Sequence, residues 1–508
     1  MHIMKKSIFV LTALTLILSV NVSFARNVSV DEAKTAAMRF MNAAGSGMKA
    51  ELSDINLTHQ IINPELNIPA CYFFNVSDWG WVIVSASTTM DPIIGYNDRG
   101  HNLNIERAPE SMMWWVENFA GLISAKQVED AATPLTDDEG WSELLDNYNP
   151  KGETKDINHI LMDEIWGQGD NSGNTYNIFC PRYQGVPTIV GCVATALSQI
   201  VHYYQFPVTG QGYRSYYWRN PDLGMPSPGV AIRMRFDTVH FDYSLMPNFI
   251  SSTTPMANRR EISKLCYAIG VGMTMDYGTS ASGGSGAQSS SVPGVMQTYF
   301  KYRRCTQLVR ANTTTQDFIN QIRGELMLNR PVYMSGASQN HVGNDDRHAW
   351  VCCGYKDSTT TANYKKYYMN WGWESEGDGW FNLYDNTTNG MRITGMGYTF
   401  TNEQTAMIGL IPPHPDSSSV DFWDHLSIAN VDNTELRAAY PNPATHSVTI
   451  PYSIKNADVL AIYNIKGELV EQVALQLGDR QVEINTDRMP AGIYIYRVGG
   501  ATSKFVVR

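Results

Sequence analysis

The sequence predicts an exported α+β protein with several domains. Three features carry this prediction: an apolar leader at the N-terminus, polar connectors that divide the chain, and a central region in which a helical pattern precedes strand-like runs. The chain has 508 residues, 43% hydrophobic and 17% charged, so it is globular and long enough for about two to four domains. Its formal net charge of -11 disfavours nucleic-acid binding, which normally needs a basic face, and favours protein or small soluble partners.

The first 25 residues are typical of a secretory signal peptide. Lys5 and Lys6 form a basic start, residues 8–20 form an apolar core, and residues 23–25 (Ser-Phe-Ala) supply a small-x-small cleavage site. The alternative is a membrane anchor, for which the apolar core is short. We therefore expect a soluble, exported mature protein.

Two polar connectors divide the rest of the chain into three regions. Residues 129–156 are acidic and lack a regular apolar period, and residues 411–425 are rich in Pro and Ser. The sequence beyond the second connector is a run of short alternating strands with turn signals, which is typical of a small all-β domain.

The seven cysteines are too sparse for a disulfide scaffold, and their odd number leaves at least one thiol unpaired in an exported protein. No CxxC pair occurs, and the adjacent Cys352 and Cys353 would point to opposite faces of a strand. The sequence therefore disfavours a metal site and raises the question of which thiol is free.

Cys192 follows Gly191 and lies in the first turn of a predicted helix, whose apolar residues recur at helical spacing until Pro207 ends the pattern. Unpaired N–H groups and the positive end of the helix dipole stabilise a thiolate there, which lowers the thiol pKa as a nucleophile requires. Position alone leaves three interpretations open: a small core residue, one half of a disulfide, or a nucleophile.

A nucleophilic thiol needs a base that a third group holds in place. His202 is excluded because it lies on the same predicted helix, roughly 15 Å from Cys192 along the axis. His348 opens a strand-like run that a polar turn separates from a second run at residues 367–373. A hairpin symmetric about Thr359 and Thr360 would place His348 opposite Trp371 within a residue or two.

In such a hairpin, Asn370 can accept the imidazole N–H and fix the tautomer, while Trp371 shields that bond from water. The alternative is that His348 lies at the surface end of a strand beside an aromatic core residue. Acyl transfer also needs a donor to the carbonyl oxygen. Gln168 lies in a Gly-flanked loop where its amide can approach a substrate, although a glutamine in such a loop is more often simply solvated.

Six blocks of the central region follow one another in a set order: WGQG, YNxxCP, GCVATALSQIVHYYQFP, MDYGTSASGGSGA, RHAWVCCGY and MNWGWESEGDGWFNL. They resemble the signature blocks of the streptopain family of papain-like cysteine peptidases, over about residues 156–412. The resemblance implies that Cys192 is the nucleophile, His348 the general base and Gln168 the oxyanion donor. It places Trp371 where papain has an orienting Asn and leaves open whether Asn370 shares that place.

The resemblance extends to both ends of the chain. Residues 70–100 resemble the pro-region of the same family, which keeps the enzyme inactive. The C-terminal blocks YPNPATHSVTI, LAIYNIKGELV, MPAGIYIYRV and KFVVR resemble the sorting domain of the type IX secretion route of Bacteroidetes. For this last region the alternative is an ordinary β-sandwich binding module.

The resemblance thus predicts a papain-like two-lobed cysteine peptidase of α+β class, with an α+β pro-domain and a C-terminal all-β sandwich. The predicted parts are a signal peptide at 1–25, an inhibitory pro-domain at 26–150, the peptidase domain at 151–412, a linker at 413–432 and the sorting domain at 433–508. We expect the Gly/Ser loop at 278–293 and the polar segment at 335–347 to border the substrate cleft.

The predicted function is a secreted or surface cysteine endopeptidase, made as a zymogen and exported through the periplasm and outer membrane. It needs no metal or organic cofactor. Its expected partners are protein substrates, its own pro-domain and, through the C-terminal domain, the secretion machinery. The alternatives are an acyltransferase on the same Cys-His machinery and a surface adhesin whose catalytic fold is inactive.

Overall fold

The computed structural model describes residues 26–44, 49–132, 140–145, 157–337, 347–357, 366–383, 404–413, 435–436, 439–453, 458–465, 469–475, 481–498 and 501–508. The predicted signal peptide lies outside these residues, as do all but the first residue of the predicted linker and residues 133–139 and 146–156 of the first connector. No helix within the described ranges is both long enough and apolar enough to cross a membrane.

The helices of the described part are α1 (Val30–Ala44), α2 (Glu110–Ala132), α3 (Trp141–Leu145), α4 (Cys192–Tyr204), α5 (Met256–Gly272), α6 (Val292–Phe300) and α7 (Thr315–Met327). The predicted helix at Cys192 is confirmed as α4. It ends where Gln205 adopts a left-handed conformation, with φ of 49°, two residues before Pro207.

The strands of the N-terminal region are β1 (Ile55–Asn63), β2 (Ile68–Val76), β3 (Gly80–Ser85) and β4 (Ile93–Asn97). Those of the central region are β5 (Ile157–Ile160), β6 (Arg182–Tyr183), β7 (Val186–Pro187), β8 (Tyr213–Trp218), β9 (Val230–Arg235), β10 (Thr306–Val309), β11 (Val332–Ala337), β12 (Arg347–Asp357), β13 (Lys366–Asn370), β14 (Gly379–Asn382) and β15 (Thr405–Ile408). Those of the C-terminal region are β16 (Glu435–Leu436), β17 (Ser447–Ser453), β18 (Asp458–Asn464), β19 (Leu469–Leu475), β20 (Gln481–Asn485), β21 (Gly492–Val498) and β22 (Ala501–Val507).

One large sheet runs through both the N-terminal and the central region. Its strand order is β1-β2-β3-β4-β14-β13-β12-β11-β15-β10, and β5 pairs with β12 beside this path. The two regions join where β4 pairs antiparallel with β14, with Tyr96 opposite Trp380 and Gly95 opposite Phe381. The predicted pro-domain therefore continues the sheet of the predicted peptidase domain.

Two lysines are buried at this junction. Lys356 of β12 and Lys366 of β13 are cross-strand partners, and both are essentially inaccessible to water. Their amino groups donate to groups of the N-terminal region, Lys356 to the Tyr96 hydroxyl at 2.5 Å and Lys366 to the Ile93 carbonyl at 2.5 Å. Burial lowers the pKa of Lys366 to about 8. The N-terminal region thus supplies acceptors that two buried cations of the central region require.

Helix α2 covers one face of the shared sheet with tryptophans. The ring centroid of Trp115 lies 5.7 Å from that of Trp350 on β12 and 6.4 Å from that of Trp371, which follows β13. All three rings are fully buried. On the opposite face, α4 and α5 pack in a second core, so the start of α4 lies between a helical lobe and the sheet.

The C-terminal region is a β-sandwich, as predicted. One sheet has the order β16-β17-β20 and the other β19-β18-β21-β22. The two sheets share a core that includes Val448, Ile450, Leu460, Tyr496 and Phe505, all buried. These residues alternate along their strands, which is why the period-two pattern of the sequence predicted the sandwich.

If α2 holds the N-terminal region on the sheet, Trp115→Ala should destabilise the full-length protein. Loss of a buried tryptophan costs about 3–5 kcal/mol, and the shift is measured as the midpoint of urea unfolding in a Cys192→Ala background. Trp79→Ala is the control, because Trp79 is 36% exposed in the same region and its loss should cost under about 1 kcal/mol. Equal midpoints for the two variants would contradict the role of α2.

Candidate active site

Cys192 is the first residue of α4 and is 8% exposed. Burial raises the pKa of the Cys192 thiol above its ordinary value and outweighs the nearby backbone N–H groups of Ala349, Val193 and Cys192 itself, which favour the thiolate. The lowered pKa expected from the helix position is therefore wrong for this form of the protein. The backbone N–H groups at the helix N-terminus favour the thiolate as predicted, whereas the burial of Cys192 could not be predicted from the sequence.

Gly191 is required at the position before Cys192. Its φ of 87° lies in the left-handed region, and a Cβ on it would lie 2.7 Å from the Ser285 carbonyl oxygen. Ser285 belongs to the Gly/Ser loop, and its hydroxyl donates to the Ile189 carbonyl at 2.6 Å. The loop is thereby fixed against the chain that leads into Cys192, and it lines the cleft as expected.

His348 lies on β12 and lines the same cleft as Cys192. Its neighbour in sequence, Ala349, donates its N–H to the Cys192 sulfur, which brings the strand that carries the imidazole against the thiol. Across the sheet His348 pairs with Gly336 of β11, where a Cβ would lie 2.4 Å from the Trp114 ring of α2. The N-terminal region therefore packs directly beside the predicted base.

Gln168 also lines the cleft and is half-buried. Its carbonyl oxygen accepts a hydrogen bond from the Val190 N–H at 2.8 Å, which ties it to the loop just before Cys192. Within the described part of the chain its side-chain amide makes no hydrogen bond. That amide is available to donate to a substrate oxygen.

Trp371 and Asn370 lie behind the cleft, 0% and 3% exposed. The hairpin register differs by two residues from the symmetric one, since Val351 pairs with Asn370 and a bulge follows Cys352. Continued along the strands, this register brings Trp350, not His348, beside Trp371, and these two rings are 5.3 Å apart. The polar segment between β12 and β13 is compatible with several turn centres, so the sequence alone could not fix the register of the hairpin.

The Asn370 amide is fully engaged elsewhere. Its Oδ1 accepts from Gln199 and the Gly372 N–H, and its Nδ2 donates to Gln199 and the Glu164 carbonyl. The Trp371 indole donates to the Gly377 carbonyl at 3.0 Å. The fold brings Cys192, His348 and Gln168 to one cleft. Asn370 and Trp371 lie in the buried wall behind that cleft.

Two parts of the cleft lining were not predicted from the sequence. Trp373 lines the cleft, and the WGW motif could have indicated it, because Gly372, with φ of 78°, turns the chain between the two tryptophans. Residues 104–110 of the N-terminal region also reach the cleft. Glu110 Oε2 lies 3.3 Å from His348 Nε2, and the Asn104 N–H donates to Glu376 Oε1 at 3.2 Å.

The described residues hold no cluster of three or more His, Cys, Asp or Glu side chains arranged for a metal ion. All seven cysteines are described, buried and unpaired, so Cys192 is not half of a disulfide.

Family models match three parts of the chain. Residues 166–381 match the peptidase C10 family, residues 25–121 match the Spi protease inhibitor family, and residues 438–508 match the secretion system C-terminal sorting domain. Streptopain of Streptococcus pyogenes is 29% identical over 410 residues, which are 77% of this chain and 93% of that protein. The thiol protease/hemagglutinin PrtT of Porphyromonas gingivalis is 27% identical over 346 residues, 67% of this chain and 37% of that protein.

A solved structure of a prointerpain A fragment from Prevotella intermedia superposes on the chain with a TM-score of 0.54. Its sequence is 24% identical, and the match covers 71% of this chain and 99% of that one. This likeness confirms the predicted α+β, papain-like fold.

The Glu110 carboxylate raises the pKa of the Cys192 thiol, although less than burial does. Glu110→Gln should therefore lower that pKa, so that iodoacetamide alkylates Cys192 faster in the uncleaved chain at any pH below the thiol pKa. The pH profile of alkylation should shift toward lower pH. Glu106→Gln removes an exposed carboxylate from the preceding turn and should leave the profile in place; a similar shift in both variants would exclude a specific effect of Glu110.

Proposed function

We propose that Cys192 and His348 are the catalytic pair of a cysteine endopeptidase that is made as a zymogen. The observation that supports this assignment is their place in one cleft, with the Ala349 N–H bonded to the Cys192 sulfur. Neither an acyltransferase nor an inactive adhesin is favoured by the comparisons.

In the proposed mechanism, His348 takes the proton of the Cys192 thiol, and the thiolate attacks the scissile carbonyl carbon. The developing oxyanion accepts hydrogen bonds from Gln168 and the Cys192 N–H. His348 then protonates the leaving amine, and the C–N bond breaks to give an acyl-enzyme. His348 takes a proton from water, which attacks the thioester and releases the acid product. Trp371, which is buried behind the strand that carries the imidazole, is proposed to take the orienting place that the resemblance implies.

The proposed pro-domain, residues 26–150, keeps this site inactive in two ways. Residues 104–110 occupy one side of the cleft, and the Glu110 carboxylate contacts the imidazole that must exchange protons with substrate. The same carboxylate raises the pKa of the Cys192 thiol, which reduces the nucleophilic thiolate. Cleavage within residues 129–156 would separate this domain from the peptidase domain, proposed as residues 151–412.

The C-terminal sorting domain indicates export by the type IX secretion system, to the medium or the cell surface. We place this domain at residues 433–508, after a linker at 413–432, and the signal peptide at 1–25. The proposed route crosses the periplasm and then the outer membrane. The proposed partners are protein substrates, the chain's own pro-domain and the secretion machinery.

Cys192→Ala and His348→Ala should each abolish proteolysis of a protein substrate, and the double variant should be no worse, because the two residues act as a unit. The Cys192→Ala chain should also stay uncut within residues 129–156. Gln168→Ala should lower kcat by roughly 10- to 1000-fold if its amide supplies one oxyanion hydrogen bond. Wild-type turnover in Cys192→Ala would end the assignment.

Deletion of residues 433–508 should stop the protein from leaving the periplasm, because the sorting domain would no longer engage the secretion machinery. Fractionation of cells and medium measures this, and proteolysis by the retained protein shows that the peptidase domain is intact. A linker deletion within residues 414–432 controls for chain length. Unchanged release of the truncated chain would show that the β-sandwich serves another purpose, such as surface binding.

A further inference from the structure

We propose that Gln199 and Asn370 form an amide clamp that holds the oxyanion donor Gln168 in register with Cys192. Both are positioning residues, since neither lines the substrate cleft among the described residues. The proposal rests on the function proposed above and adds a residue, Gln199, to the parts on which the reaction depends.

The clamp is a reciprocal pair of buried amides. Gln199 Nε2 donates to Asn370 Oδ1 at 3.1 Å, and Asn370 Nδ2 donates back to Gln199 Oε1 at 3.1 Å. The two residues are 0% and 3% exposed. A buried amide pair with bonds in both directions fixes the orientation of both side chains.

Backbone groups of two further segments bond to the clamp. The Trp166 N–H donates to Gln199 Oε1 at 3.1 Å, and the Glu164 carbonyl accepts from Asn370 Nδ2 at 2.5 Å. These contacts fix residues 164–166, which lead directly into Gln168. The Gly372 N–H donates to Asn370 Oδ1 at 3.0 Å and fixes the turn between the two tryptophans behind and beside the cleft.

The position of Gln199 on α4 connects the clamp to the nucleophile. Gln199 lies seven residues after Cys192, which is close to two helical turns, so both side chains point from the same face of α4. The helix is held independently by the apolar core, in which Leu197 and Ile200 are fully buried. Residues 164–166 are also held by the Ile165 N–H, which donates to the Asn248 carbonyl at 2.9 Å, and by the Trp166 indole, which donates to the Pro247 carbonyl at 2.9 Å. Loss of the clamp is therefore expected to shift residues 164–168 by a small distance rather than to release them or the helix.

A small shift at this point is expected to slow the reaction strongly. A catalytic group displaced by about 1 Å can cost roughly 100-fold in rate, and an oxyanion donor acts only at hydrogen-bond distance. Gln168 has just one other tie in the described structure, its carbonyl contact with the Val190 N–H. The clamp supplies the fixed backbone from which the Gln168 side chain reaches the oxyanion.

The test is the variant Gln199→Met, made in the full-length chain and allowed to activate. The concentration of active sites is then measured by titration with an irreversible thiol reagent, and these are the competent sites. Per competent site, kcat should fall by about 10- to 100-fold, with KM within about threefold of wild type. Alkylation of Cys192 should also stay within about threefold, because alkylation forms no oxyanion. A purely structural role would lower the melting temperature and leave kcat per competent site unchanged.

The double variant Gln199→Met with Gln168→Ala separates the proposal from a general effect. If Gln199 acts through Gln168, the double variant is no more than about threefold slower than Gln168→Ala alone. The proposal would be overturned if the fold-decreases in kcat of the two single variants multiplied in the double variant. A wild-type kcat in Gln199→Met would also overturn it. Activity in Cys192→Ala would instead remove the proposed function on which the clamp rests.

Ser198→Ala is the matched control, because the hydroxyl of this buried neighbour on α4 donates to the Ala194 carbonyl at 2.6 Å and is not one of the groups that bond to Gln199 or Asn370 in the described structure. Its kcat should equal that of wild type. If Gln199→Met does not fold, Gln199→Glu takes its place. It keeps the oxygen that accepts from Trp166 and Asn370 and loses the N–H donor to Asn370, so the same epistasis with Gln168→Ala is expected.

Discussion

The start of α4 is the constraint on which the rest of the structure depends. Unpaired backbone N–H groups favour ionisation of a thiol, and the first turn of a helix supplies several of them. Because Cys192 stands at that point, the chain before it must turn at Gly191, where a side chain would collide with the Gly/Ser loop. The strand that carries His348 must then lie against the same turn, since Ala349 completes the hydrogen bonding of the sulfur.

The features that the sequence predicted correctly are those governed by local periodicity. Helix α4 has an apolar repeat and a proline just beyond its end, and the C-terminal strands alternate, so their types followed from the pattern. The pairing of β4 with β14 joins residues far apart in the chain, and no local period encodes it. The register of the β12–β13 hairpin was predicted two residues off, because the polar segment between the two strands is compatible with more than one turn centre.

The residues of the candidate site also fall into those that the sequence suggested and those that it did not. Cys192, His348 and Gln168 could be proposed from the sequence because each is assigned a chemical role that few residue types fill, and the structure places all three at one cleft. Gln199 and Glu110 could not, because an amide within an apolar helix and a carboxylate at a helix start are common in positions without any role in a reaction. Burial is a property of the whole fold and cannot be read from local sequence. The position of Cys192 therefore predicted that the helix N-terminus favours the thiolate, but not that burial outweighs this effect and raises the thiol pKa.

The shared sheet makes removal of the pro-domain a change of architecture as well as an opening of the cleft. Once β4 is gone, β14 becomes an edge strand whose backbone donors and acceptors face water, and such edges recruit other strands unless charge or cover protects them. The same event would withdraw the Tyr96 hydroxyl from Lys356 and the Ile93 carbonyl from Lys366. Because burial lowers the pKa of Lys366, exposure to water would raise that pKa again. The proposed cleavage would thus create an open strand with a cation next to it, and a charge at such an edge disfavours aggregation.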